Sequence, residues 1–145
     1  MSKIWVVSEY TRSIQNSTGY FWEKAIQQLR VDGLQVNVLT LKEEVKSATK
    51  KSIMKRVGAK LMATARLTWV TGWKAKKGDI VFSGTNPEML LFALSLLRRL
   101  IGFRWYVLVH DVFPENLIPA GILKKESTSF RVLKAIFDWV YAQPD

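Results

Sequence analysis

The chain contains no cysteine and a single histidine, His110. The first absence excludes a disulfide framework and thiolate metal centres. The second leaves too few imidazoles for a histidine-based zinc site. Long apolar runs are missing as well. The longest, Met89 to Leu97, meets Arg98-Arg99 well short of the roughly 20 residues that a membrane-spanning helix needs. The apolar core of the amino terminus, Ile4 to Val7, is too short for a secretory signal. The expected location is therefore cytoplasmic, with no transmembrane or exported segment. Acidic residues are scarce in one place above all. Residues 42–77 carry eleven Lys/Arg against two Asp/Glu, a net of +9 out of the chain's +10. The basic character belongs to that segment and not to the whole surface.

With 145 residues there is material for one domain with a sizeable core. Ile4–Val7 reads as a first strand, followed by loop signals through Asn16-Ser17-Thr18 and a helix from about Gly19 to Arg30. Ser17 or Thr18 can cap that helix. Ala25, Ile26 and Leu29 give it an apolar face, and Gly33 stops it. Val36–Leu39 is a second strand. A long helical segment then runs from Val45 to about Trp73, where Ile53, Val57, Leu61, Ala65 and Trp69 recur every four residues and most lysines fall off the stripe. Asp79–Ser83 is a third strand, and Asn86-Pro87 opens a helix that Gly102 ends near Ile101. Arg104–Val109 is a fourth strand, and a last helix spans about Ser127 to Tyr141. Strands alternating with helices predict a Rossmann-like three-layer α/β domain around a parallel sheet of about four strands.

Three segments have the residues for chemistry. The turn Asn16-Ser17-Thr18-Gly19-Tyr20 places helix-start N–H groups and a glycine where a phosphate can approach, or it is an ordinary capped helix start. It lacks a G-x-G-x-x-G pattern and a phosphate-loop lysine. The run Trp105 to Leu117 puts His110, Asp111 and Glu115 at the carboxyl end of a buried strand, where open α/β sheets hold their ligands. There His110 can bond a sugar hydroxyl or phosphate, exchange a proton, or serve a structural role. Asp111 and Glu115 can bind hydroxyls, cap a turn or face water. The basic helix is a crossover with its stripe on the sheet, a contact with an anionic membrane through Trp69 and Trp73, or a phosphate binder. No recognised nucleic-acid motif accompanies it, so nucleic acid is not an expected partner.

The start KIWVVSEY, the turn NSTGYFWEKAIQQL, the pair SGTNPEMLLFAL and the run LVHDVFPENLIPAGILKKES together resemble bacterial family-4-like glycosyltransferases, in their amino-terminal, acceptor-side domain. The resemblance implies a GT-B architecture, two Rossmann-like domains facing one cleft. It also implies retaining, metal-independent transfer of a sugar from a nucleotide-sugar to a lipid-linked or polysaccharide acceptor at the inner membrane face. The nucleotide-sugar is then a co-substrate, and neither a cofactor nor a metal is expected. By motif position Thr18 and Gly19 would lie near the donor diphosphate. His110 would approach the transferred sugar as the catalytic residue, with Asp111 and Glu115 shaping the acceptor side. The basic segment 42–77 would hold the enzyme peripherally on anionic lipid.

Two departures from that pattern stand out. Many relatives carry a double glycine in the first turn, where this chain has Asn16-Ser17 before Thr18-Gly19. After Phe137–Gln143 relatives continue with Ala-Asp and a further strand, whereas this chain reads Pro144-Asp145. On this reading the carboxyl-terminal donor domain is absent. The 145 residues alone are then expected to bind nucleotide-sugar weakly and not to turn over, unless a separate donor-domain chain completes them. The alternative is a non-catalytic membrane-surface or scaffold module on the same fold. If the fourth strand lies at the edge of the sheet, its apolar run is left open to pairing.

Overall fold

The computed structural model describes residues 2–12, 16–41 and 53–145. Strands β1 (Ile4–Val7), β2 (Val36–Leu39), β3 (Ile80–Gly84) and β4 (Arg104–Leu108) alternate with helices α1 (Ser17–Val31), α2 (Ile53–Lys74) and α3 (Glu88–Ile101). A short 3-10 turn (Glu115–Leu117) and helix α4 (Thr128–Tyr141) follow. The strands lie in the order β2-β1-β3-β4, all parallel. Val6 of β1 sits in register between Val38 and Phe82, at the centre of the sheet. The expected three-layer α/β domain is what forms.

Alternation along each strand builds two cores. On one face Ile4, Val6 and Val36 pack with Trp22 and Ile26 of α1. On the other, Trp5, Val7, Val81 and Trp105 pack with Leu67 of α2, Leu90, Leu91 and Leu94 of α3, and Val140 of α4. The two inward tryptophans also satisfy their polar ends. The Trp105 indole N–H donates to Ser83 Oγ at 3.0 Å and that of Trp5 to Asp79 Oδ2 at 3.0 Å, both buried.

Several local readings are corrected. The cap of α1 is Asn16, whose side chain accepts the Gly19 N–H at 2.8 Å, so neither Ser17 nor Thr18 fills that role. Pro87 is the residue before α3 and not within it. Gly102 ends α3 as expected, in the left-handed conformation at φ 81°. The expected start of the second helix at Val45 lies outside the described residues. Within α2 the four-residue stripe does not face the sheet. Val57, Leu61, Ala65 and Trp69 are exposed, and the side turned to the core carries Ala63, Leu67 and Thr71, continued by Ala75 just past the helix end.

Among the described residues β4 is an edge strand. At Trp105 that edge is occupied, because its carbonyl accepts the Asp145 N–H at 2.8 Å and its N–H donates to Asp145 Oδ2 at 2.7 Å. Arg98 of α3 holds this segment in place, donating to the Gln143 carbonyl and to Asp145 Oδ1 at 2.5 Å.

The amino end of the sheet is fastened by one buried carboxylate. Asp79 accepts from the Lys3 backbone N–H at 2.9 Å, the Trp5 indole at 3.0 Å and the Lys76 backbone N–H at 3.0 Å. Burial alone would raise its pKa. The three hydrogen bonds, helped by the charge of Lys3, outweigh that and hold it below the ordinary carboxylate value. Its stabilising contribution is therefore complete above the unfolded value near 3.9 and is lost as pH falls through the depressed native value. Asp79→Asn turns an amide N–H₂ towards at least one N–H donor, that of Lys3 in the better rotamer, and a buried group left unpaired costs roughly 1–3 kcal/mol. Urea unfolding of wild type and variant should show a gap of about 2 kcal/mol at neutral pH that narrows on acidification below the carboxylate range.

Candidate functional site

In a sheet of this order the first crossover, α1, packs on one face and the next two, α2 and α3, on the other. The order of strand addition reverses between β1 and β3, and the crevice beyond their carboxyl ends is where such sheets bind ligands. Four segments lie at that edge: the turn after β1, the first turn of α1, Gly84 at the end of β3 with Thr85 after it, and 109–117 after β4. Thr85, only 2% exposed, joins two of them. Its Oγ1 accepts long hydrogen bonds from the backbone N–H groups of His110 and Asp111, both 3.4 Å.

His110 is half-buried, its ring 5.7 Å from that of Phe21 and tilted by 49°. Phe21 stands one turn after Thr18 on α1, so the helix start and the histidine share this edge. The Nε2 atom of His110 is buried and has no hydrogen-bond partner among the described residues. A buried imidazole nitrogen without a partner is uncommon and has an unmet demand for a donor or acceptor. The same holds for Trp22 Nε1, which lies against Gly84 at the end of β3, where a Cβ would stand 3.3 Å away.

The other expected site residues are placed less uniformly. Thr18 is half-buried in the first turn of α1, where helix-start N–H groups have no intrahelical partner. Gly19 is buried, its N–H taken by Asn16 and its Cα packed beneath the Arg12 carbonyl, which a Cβ would approach to 2.1 Å. Its lack of a side chain is thus required by the loop that crosses it. Asp111 is exposed beside His110. Glu115 is drawn towards α4, 2.7 Å from Lys134 Nζ, which also meets Asp138 at 2.8 Å. The hydrogen bonds it donates to the Asp138 and Glu115 carboxylates hold that ammonium well above the usual lysine range.

The segment after β4 is secured from below. The Phe113 N–H donates to Tyr141 Oη at 3.1 Å, and the rings of Phe113 and Phe137 meet at 4.5 Å. After β1, burial first, and then the charge of Glu9 and a hydrogen bond to it, push the Tyr10 phenol up to about 12. It therefore stays protonated at neutral pH. The sequence reading missed Phe21, Trp22 and Thr85. Thr85 was accessible to the rule that selected His110, since it follows a buried strand directly.

These features define a parallel, doubly wound α/β domain with an open carboxyl-edge crevice, lined by a histidine, hydroxyls and a helix start. No family model matches the chain. It is similar to the probable glycosyltransferase WbjE of Pseudomonas aeruginosa, with 40% identity over 162 aligned residues that include all of this chain. The chain spans 40% of that protein's length.

Gly19→Ala should destabilise the domain by about 1–3 kcal/mol, the usual range for overpacking, because the obstructing atom is a backbone carbonyl. Chemical denaturation measures it. An unchanged midpoint would show that the Arg12 loop moves aside freely.

Proposed function

We propose that the chain is the acceptor-side domain of a family-4-like glycosyltransferase of GT-B architecture. Such an enzyme moves a sugar from a nucleotide-sugar to a lipid-linked or polysaccharide acceptor in cell-surface polysaccharide biosynthesis. The observation that carries this reading is identity at 40% along the whole chain to a probable glycosyltransferase. The carboxyl-edge crevice, where His110 Nε2 is buried without a partner among the described residues, supports it.

In this reading the Thr18 hydroxyl and the first N–H groups of α1 face the donor diphosphate, opposing its charge with the positive end of the helix. His110 Nε2 bonds a hydroxyl of the transferred sugar or takes up a proton as the new bond forms. Asp111 orients the acceptor beside it. Glu115, bridged to Lys134, acts by holding the wall after β4 against α4 more than by direct contact. The leaving diphosphate needs further positive charge close by, and that charge belongs to the facing donor domain. Transfer follows the retaining, metal-independent course of the family.

The test is nitrogen-15 chemical-shift mapping with nucleoside diphosphate sugars at millimolar concentration, beside a radiolabelled transfer assay on a membrane lipid extract. Shifts should be confined to residues 16–21, 84–86 and 109–112, should be weak, and should shrink in His110→Ala. No transfer should be seen with the chain alone. Shifts elsewhere, or none, would overturn the site. Transfer by the 145 residues alone would overturn the acceptor-side assignment.

A further inference from the structure

We propose that Phe21, flanked by Tyr20, is a stacking platform for the apolar face of a pyranose ring bound beside His110. Both side chains stand outward near the start of α1, Tyr20 at 50% exposure and Phe21 at 55%. Apart from Trp69 and Trp73 of α2, they are the exposed aromatic side chains among the described residues. Successive helix positions point about 100° apart, so neighbouring rings have no intrinsic reason to meet. These two do, edge to face, with centroids 6.2 Å apart and planes at 76°. Phe21 also lies against the His110 ring, and Lys24 Nζ stands 5.9 Å from the centre of the Tyr20 ring. Ring contacts thus run from α1 to the imidazole.

The core does not use these rings. The face of the sheet under α1 is filled by Trp22 and Ile26 with Ile4, Val6 and Val36. A phenylalanine left half in water forfeits the gain of burying it, and exposed apolar surface at the rim of a crevice marks a contact.

The polar groups beside the platform identify the occupant. His110 Nε2 is buried with no partner among the described residues, Asp111 is exposed next to it, and Thr18 stands one turn before Phe21. A phosphate makes no use of an apolar ring. A wholly apolar ligand leaves Nε2 unmet. A nucleobase stacks best on a flat bed, whereas the rings on either side of Phe21 stand at 76° and 49° to it. A pyranose has both characters: a face of C–H bonds, weakly positive against the negative face of an aromatic ring, and hydroxyls around its edge for imidazole, carboxylate and threonine. That a sugar enters this crevice rests on the proposed transfer reaction; Phe21 as the ring that holds it is the added step.

The test compares three probes on the full chain: a nucleoside diphosphate sugar, the nucleoside diphosphate alone, and a methyl hexopyranoside. Saturation transferred from the protein's aromatic protons should reach the C–H protons of the pyranose. The nucleotide-sugar responding alone assigns the platform to the transferred sugar, and the hexoside responding assigns it to the acceptor. Phe21→Ala should weaken pyranose binding by about three- to tenfold, the range of one aromatic contact, with the thermal midpoint and nucleoside diphosphate binding unchanged. Phe21→Tyr should restore it, and Phe21→Leu should not. Unchanged pyranose binding in Phe21→Ala, an equal loss of nucleoside diphosphate binding, or a Phe21-dependent dimer in sedimentation equilibrium would overturn the proposal. Nucleotide-sugar shifts at 109–112 that Phe21→Ala leaves intact reject the platform and retain the transfer reading. Phe21-dependent hexoside binding with no response to nucleotide-sugar retains the platform and rejects the crevice as a donor site.

Discussion

One carboxylate organises the amino end of this sheet. Asp79 sits at the entrance to β3, yet two of its three hydrogen bonds reach back to Lys3 and Trp5, at and just before β1. β1 and β3 are the two central strands, and β2 and β4 pair only outward from them. Fastening the central pair at one end sets the register for the whole sheet, because a slip of one residue would send Val6 and Trp5 to each other's face. The carboxylate is buried only because N–H donors surround it, and those donors are held only while it is ionised. Fold and charge state are linked at this point.

The two ends of the sheet are built on opposite principles. At the amino end every polar group of the Asp79 cluster has a partner. At the carboxyl end His110 Nε2, Trp22 Nε1 and Asn116 Oδ1 are buried and have none among the described residues. Rigidity is still supplied there, by Thr85 beneath His110 and by Tyr141 and Phe137 beneath Phe113. The result is a firm frame with unmet hydrogen-bonding demand, the arrangement expected where a ligand, and not the protein, completes the set.

The alternation of strands and helices was legible in the sequence because buried parallel strands and capped helices leave strong local signals. Which side of α2 faces the core was not. The apolar recurrence Val57, Leu61, Ala65, Trp69 and the core-facing set Ala63, Leu67, Thr71, Ala75 share the same four-residue spacing. Hydrophobicity favours the wrong one. The core accepts the more polar set because Thr71 Oγ1 bonds the Leu67 carbonyl at 2.7 Å, hiding its hydroxyl within the helix, as Ser95 does with Leu91 in α3. The helix cap misled for a similar reason, since Asn16, Ser17 and Thr18 are all competent and only the backbone decides between them. His110 was found by its place after a strand; Phe21 and Trp22 were hidden in an apolar helix pattern that gives no sign of facing a site.

The misread stripe bears directly on how the domain works. Had Leu61 and Trp69 covered the sheet, the lysines would have formed an ordinary solvated surface. Instead the core is satisfied by small residues on one side of α2, which frees the bulky apolar side chains for the other. An exposed apolar surface of this extent on a helix marks a contact. Lys55, Arg66 and Lys74 are exposed on the same helix. The domain thus carries an exposed apolar face on α2 and, apart from it, a polar crevice at the carboxyl edge of the sheet.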